Sequence, residues 1–257
     1  MRTAAAESDA RLAARLAGQA GELLLGVRRR ADGTDAKELG KGGDAQSNEF
    51  LLGELAAVRP ADAVLSEESA DSAQRLSADR VWIIDPLDGS REFGLGGRSD
   101  WAVHVALWQR GLGITDAAVA QPALPGVYAS DDAVAVAGGR SRPLFLVSDT
   151  RPPAFAEPVA RALDADLAPM GSAGAKAMAV LRGAADGYLH AGGQWEWDSA
   201  APVGVAVAAG LHASRVDGSA LTYNNAHPYL PDLLICRPEL ALAVLASAHA
   251  AMERGGE

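Results

Sequence analysis

The chain has 257 residues, 49% of them hydrophobic and 22% charged, a globular balance that excludes a disordered polymer and suits one large domain or two small ones. Twenty-three Lys and Arg against thirty-three Asp and Glu give a net charge of −10, which argues against nonspecific binding to a nucleic acid polymer or an anionic membrane. The lone Cys236, in the apolar stretch YLPDLLICR, excludes an intrachain disulfide and reads as core.

The opening MRTAAAESDARLAARL carries Glu7 and Asp9 where a signal peptide needs an apolar centre, and no later apolar run is long enough for a bilayer, so a cytoplasmic protein is expected. Leu12, Leu16, Leu23 and Val27 recur at helical spacing, as do Phe50, Leu51, Leu55 and Val58, which predicts two amphipathic helices. Between them ADGTDAKELGKGGDAQ has a loop composition that would carry Asp44 to the mouth of the second helix. Short strands are predicted at AVLS (63–66), VWII (81–84) and WAVHVALW (101–108), then a pair at GITDAAVAQP and GVYASDDAVAVAG. The cluster GGRSRP at 138–143 marks a boundary between an N-terminal α+β part, 1–138, and a C-terminal α/β part, 139–257. Beyond it PLFLVS reads as a strand, FAEPVARAL as a helix, GSAGAKAMAVLRG as a Gly-rich entry into a helix, and DGYLH as a strand.

The chemistry gathers at WIIDPLDGS, residues 82–90. Asp85 and Asp88 fall at the end of a strand, and Pro86 stiffens the turn between them. Two carboxylates roughly 5 Å apart at an effective dielectric of about 20 repel by about 3 kcal/mol, so a compact pair needs a cation or a shifted pKa. Oxygen donors with no histidine or thiol beside them in sequence select Mg²⁺, Mn²⁺ or Ca²⁺ over zinc. Alone, such a pair reads as a turn cap beside a solvated aspartate. LSEES adds Glu67 and Glu68 after a strand, and QWEWDSAAPVG adds Asp198 at a helix start, where it either caps the helix or faces a metal. Gly89 permits close backbone approach and Ser90 opens a turn whose N–H groups can face an anion. The set matches metal-assisted transfer of a phosphoryl group to water.

In order and wording, SEES, WIIDPLDGSREF and WEWDSAAP resemble the three signatures of the inositol monophosphatase superfamily of Mg²⁺-dependent, lithium-sensitive phosphatases. The resemblance implies a five-layer αβαβα sandwich of the inositol monophosphatase and fructose-1,6-bisphosphatase type, with two or three Mg²⁺ ions, or Mn²⁺ in their place. It implies metal ligands at Glu67, Asp85, the Leu87 carbonyl, Asp88 and Asp198, and substrate against Leu87, Asp88, Asp198 and the amides of Gly89 and Ser90. The nucleophile so implied is a metal-held water, deprotonated with the help of Ser90, Asp44 and Glu67. Where the family has Thr-x-x-Asp, this chain reads KGGDAQSNEF, without the threonine.

Arg91, Glu92 and Phe93 after the DGS turn, and GSAGAK at 171–176, resemble the branch acting on 3'-phosphoadenosine 5'-phosphate, and imply that Ser172 and Lys176 touch the nucleotide. GSAGAK lacks the Gly-Lys-Ser/Thr ending of a P-loop, so a triphosphatase is rejected. The Ser-Arg-x-His contact of some nucleotide-branch members is not reproduced by Ser148-Asp149-Thr150-Arg151, where Arg151 offers a different phosphate contact. The wording is most like CysQ-type proteins of actinobacteria, which implies a Mg²⁺-dependent 3'(2'),5'-bisphosphate nucleotidase serving sulfate assimilation. An inositol 1-phosphate or fructose 1,6-bisphosphate phosphatase is the alternative, a silent metal- or nucleotide-binding regulator the third, and a homodimer is among the expectations. Trp195 and Trp197 are read as packing residues and His104 as core.

Overall fold

A computed structural model describes residues 7–31, 33–124, 126–132, 136 and 138–255. Two long helices come first, α1 (Asp9–Arg30) and α2 (Ala36–Val58), capped by Ser8 and Asp35. A five-stranded sheet follows in the order β1-β2-β3-β4-β5, made of β1 (Ala63–Ser66), β2 (Arg80–Asp88), β3 (Ala102–Gln109), β4 (Gly113–Gln121) and β5 (Gly126–Ala129). Its β1–β2 pair is parallel and the rest antiparallel. The short α3 (Ser90–Gly94) leaves the end of β2.

The second sheet, ordered β7-β6-β8-β10-β9, comprises β6 (Leu144–Ser148), β7 (Asp166–Met170), β8 (Gly187–Trp195), β9 (His212–Ser214) and β10 (Tyr229–Cys236). The remaining helices are α4 (Ala156–Ala162), α5 (Ala173–Leu181), α6 (Glu196–Ala208) and α7 (Ala241–Gly255).

Side-chain alternation stacks these elements into layers. On β2 and β3, Trp82, Ile84, Val103 and Val105 pack with Leu12, Leu16, Leu51 and Leu55 of α1 and α2. Their neighbours Val81, Ile83, Ala102 and Ala106 face inward to Ala177 and Val180 of α5 and to Ala201 and Val205 of α6. That inner core also takes Leu146, Tyr188, Leu233 and Ile235 of the second sheet, whose alternate residues Phe145, Leu189 and Leu234 meet Val159 of α4 and Val244 of α7. The result is a five-layer αβαβα sandwich with both sheets covered on both faces. Burial on both faces also explains why VWII and WAVHVALW are nearly continuous apolar runs.

The loop expected at 31–46 is mostly helix: α2 begins at Ala36, and Asp44 lies inside it, not at its mouth. The glycines that read as loop serve packing. A Cβ on Gly40 would come within 2.9 Å of the Ser90 carbonyl, and one on Gly43 within 2.9 Å of the Phe93 ring. Their bareness lets α2 lie against the β2–α3 turn, an advantage that outweighs their poor helix propensity. The sequence reading also lacks β7, whose Pro169 sits in an edge strand where a missing donor is tolerated, and the alanine-rich α7. The strand expected over GVYASDDAVAVAG is formed at 126–129, while 133–135 and 137 lie outside the described residues, as do residues 1–6. Among the described residues no helix is long and apolar enough to cross a membrane.

Candidate active site

The site is built first from the end of β2. Pairing with β3 slips there, Asp85 standing opposite His104 but Asp88 opposite Ala102, a bulge that re-aims the strand's last side chains. Asp85 Oδ1 accepts from the Leu87 amide at 3.0 Å, and the Ser47 hydroxyl of α2 donates to the Pro86 carbonyl at 2.7 Å. Gly89 then turns the chain at φ 85°, a conformation that a side chain resists, and α3 starts at Ser90. Sequence chemistry thus freezes the Asp-Pro-Leu-Asp turn before any ligand is considered.

Asp88 is held by donors on a single oxygen. Its Oδ2 accepts from the Ser172 hydroxyl at 2.5 Å and the Gly174 amide at 2.7 Å, and His104 Nε2 stands 3.2 Å away. His104 Nδ1 meets the Trp197 carbonyl at 3.0 Å. Burial alone would raise the Asp88 pKa, but the His104 charge and these donors bring it down to about 2. Burial likewise opposes a charge on His104, and Asp88 outweighs it and raises the ring's pKa. The sequence reading of His104 as core was right about burial and missed its proximity to a candidate ligand. The signal was its place opposite Asp85 on the inward face of β3, which only register reveals.

The other carboxylates lack such help. Asp198 is the third residue of α6 and accepts from the Trp195 amide at 2.6 Å, so it is both helix cap and candidate ligand. Burial and then Asp88 raise its pKa to about 6. Glu67 follows β1 in a turn fixed to α2 by Ser66 donating to Asn48 at 2.7 Å and Asn48 donating to Ser69 at 3.1 Å. It touches solvent at the rim, yet crowding by the protein and then by Asp198 and Asp88 raises it to about 7. Asp44 is buried in α2 and raised to about 8 by burial, then by Glu68, Glu67 and Asp88. Asp85 is raised too, by burial and then by Glu67 and Asp88.

Ligand oxygens of Asp85, Asp88 and Asp198 lie within 4.8 Å of one another, and Asp85 Oδ2 is buried with no hydrogen-bond partner. An orphaned buried acceptor in a purely carboxylate set fits a hard divalent cation. Glu67, Asp88, Ser172, Lys176 and Asp198 line one cavity of about 410 Å³. Asp44 and Ser90 line a neighbouring one of about 420 Å³, together with Gly40, Lys41 and Arg91. Asp85 and Leu87 lie buried beneath the turn. A third cavity of about 640 Å³ between the β3–β4 turn and α6 is mostly apolar, with Asp116 the one acidic group among the described residues that line it.

GSAGAK forms the cavity wall as a strained turn, Ser172 having φ 52°, followed by α5. The Lys176 ammonium donates to the carbonyls of Met170 and Gly171 at 3.2 Å each and of Ser172 at 2.8 Å, and lies 4.9 Å from the centre of the Tyr188 ring. Its three protons are therefore spent on the turn that presents Ser172 to Asp88. Trp195 and Trp197 stack with centres 5.4 Å apart, in line with their reading as packing residues, and Trp195, 40% exposed, also lines the cavity.

Residues 6–252 match the sequence profile of the Inositol monophosphatase family. The chain is 55% identical over 250 residues, 93% of its length and 92% of the relative's, to the 3'-phosphoadenosine 5'-phosphate phosphatase of Mycobacterium leprae (strain TN). It is 56% identical over 234 residues, 88% of each chain, to the protein of the same name from Mycobacterium tuberculosis (strain CDC 1551 / Oshkosh). Among solved structures, CysQ from Bacteroides thetaiotaomicron superposes with a TM-score of 0.75 over 91% of this chain and 98% of that one, at 24% identity. The chain belongs to the inositol monophosphatase family.

Proposed function

We propose, from that membership, that the chain is a phosphatase that hydrolyses 3'-phosphoadenosine 5'-phosphate to AMP and phosphate. The observation that carries this reading is the convergence of buried Asp85 and Asp88 with half-buried Asp198 in a chain so close to the mycobacterial enzymes of that name. The family is metal-dependent, and we assign Mg²⁺ to Glu67, Asp85, the Leu87 carbonyl, Asp88 and Asp198. Bound there, Mg²⁺ supplies charge neutralisation and Lewis acidity toward phosphoryl oxygen.

The chain's own groups do the remaining work. The Ser172 and Gly174 donors both meet Asp88 Oδ2, and Oδ1 is assigned to the cation. Asp44 and Ser90, which line one cavity, are assigned to accept and pass on the proton that the attacking water gives up, with Glu67 assisting from the rim. The phosphoester bond breaks, water supplies the hydroxyl to phosphorus, and the nucleotide's 3'-oxygen leaves with a proton. The amides of Gly89 and Ser90 are assigned to the scissile phosphate. We also assign the protein to the cytoplasm, in keeping with a buried, unpaired Cys236, and propose a homodimer and the two parts 1–138 and 139–257.

A substrate panel at fixed Mg²⁺ tests the reading. Phosphate release is expected to be fastest from 3'-phosphoadenosine 5'-phosphate, and much faster release from inositol 1-phosphate or fructose 1,6-bisphosphate would replace it with a sugar phosphatase.

A further inference from the structure

We propose that Glu196 and Arg75 are positioning residues, joined through Asn224 and Asn225 into a strut that sets the spacing of Glu67 and Asp198 for the cation. The inference rests on the assignment of a divalent ion to those carboxylates and adds the groups that hold them in register.

The carboxylates of the site come from distant parts of the chain. Glu67 follows β1 and Asp85 and Asp88 end β2, whereas Asp198 stands at the start of α6, directly after β8 of the second sheet. Ligands to one centre must be held within about 0.5 Å of their working geometry, so something has to fix these parts against each other. Asp198 takes its place from the first turn of α6, where it accepts from the Trp195 amide. Glu196 is the first residue of that turn and is 0% exposed. Its amide donates to the Pro228 carbonyl at 2.9 Å. Its carboxylate accepts from the Asn224 amide at 2.6 Å, and from the Asn225 amide and side-chain nitrogen at 2.9 and 2.8 Å. Every partner is a donor, so the pocket is shaped for a carboxylate, and a glutamine there would set N–H against N–H.

Asn224 holds φ 62°, in the left-handed region, and from that turn its side chain crosses to Arg75. It accepts from Arg75 Nη1 at 2.6 Å and donates to the Arg75 carbonyl at 3.3 Å. Arg75 is 1% exposed, and its other nitrogens donate to the Asn225 carbonyl at 2.9 Å and to Asp71 at 2.7 and 2.8 Å. Asp71 and Arg75 belong to the segment between β1 and β2 that starts with Glu67. Burying a carboxylate and a guanidinium is costly, and apolar side chains could fill the same space. Neither group lines the cavity of the site. What they join is the segment that delivers Glu67 to the turn that delivers Asp198.

The test measures Mn²⁺ binding to metal-free protein, without substrate, by electron paramagnetic resonance. Asn224→Gly is the least disruptive variant, because glycine adopts the left-handed backbone freely and only the side-chain link is lost. Asn224→Gly and Arg75→Gln are each expected to weaken Mn²⁺ binding by about 10-fold, as loss of a group that orients a metal ligand does. The double variant is expected to lose no more than the weaker-binding single one, as two ends of one link should. Glu196→Gln is expected to weaken binding at least as much. Unchanged Mn²⁺ affinity beside a lowered melting temperature, or losses that multiply in the double variant, would overturn the strut. Should Arg75→Gln or Glu196→Gln fail to fold, the affinity of Asn224→Gly decides alone. A wild type whose Mn²⁺ binding is insensitive to Asp198→Asn would overturn the metal assignment itself.

Discussion

Asp9 and Asp100 each face arginines, whereas Asp44, Asp85 and Asp198 face other carboxylates. Asp9 accepts from Arg59 at 2.8 Å and Arg80 at 2.9 Å, and Asp100 from Arg98 at 2.6 Å and the Gly171 amide at 2.8 Å. Burial would raise both aspartates, but these partners outweigh it and hold both below the ordinary range. In the cleft, burial acts with like charge, together outweighing His104 and Lys176 at Asp198, and the pKa values climb to about 6 at Asp198, 7 at Glu67 and 8 at Asp44. One set is neutralised by the fold and strengthens it; the other is left for an external cation and weakens the fold until that cation arrives.

Exchanging charge for amide in each set gives the largest contrast. Asp198→Asn is expected to reduce kcat by about 1,000-fold or more, equivalent to losing several kcal/mol of metal assistance, while raising the melting temperature of the chelator-treated protein. Asp9→Asn should do the reverse, lowering stability by roughly 1 kcal/mol and sparing kcat. Rate assays and thermal melts on the two variants check both halves. An Asp198→Asn protein that retained most of its rate with unchanged Mg²⁺ dependence would break the distinction.

Titration without substitution sharpens it further. A carboxyl whose folded pKa lies above its unfolded value binds more protons folded than unfolded, so its contribution to stability falls as pH rises through the interval. For Asp198, Glu67 and Asp44 that interval runs from about 4, the unfolded value, to about 6, 7 and 8. Asp88 has the opposite sign, its stabilisation being complete above its unfolded value and lost only as pH falls toward about 2. Metal-free protein should therefore melt at lower temperature at pH 8 than at pH 5.5, and saturating Mg²⁺ should abolish most of that difference. Calorimetry with and without chelator measures it. A melting temperature that rises over this range without metal would remove the case for an uncompensated cluster.

How much of this contrast could be read from the sequence depends on how local each part is. The Asp85–Asp88 turn is set within five residues, 85–89, by proline, glycine and a side-chain-to-backbone bond, so its motif is legible, and so are the short apolar strands on either side of it. Asp44 was misplaced at a helix mouth because Gly40 and Gly43 look like loop until Ser90 and Phe93 are seen against them. Lys176 reads as a surface cation reaching for phosphate, and only tertiary structure shows three carbonyls around it. His104 is 16 residues from Asp88, and their meeting depends on the slipped register between β2 and β3. Contacts made by bulges, close helix approaches and backbone carbonyls leave no residue-type signature.

The smallest expected effect joins the two sets. Asp100 spends its charge on Arg98, yet its Oδ2 also accepts the Gly171 amide, one residue before the Ser172 whose hydroxyl donates to Asp88. The neutralised network thus braces the strained turn that orients a candidate metal ligand. Arg98 is about one-third exposed, so solvent screens its pairing and its loss should cost little stability, about 0.5 kcal/mol. The cost should appear at the site. With Arg98→Gln, Asp100 loses its partner and the Gly171 amide is held less firmly, so the Mg²⁺ concentration for half-maximal rate is expected to rise about 3-fold, with kcat at saturating Mg²⁺ within 2-fold. Metal titrations of the rate measure both quantities, and an unchanged Mg²⁺ requirement beside a lowered melting temperature would mean that the brace ends at Asp100.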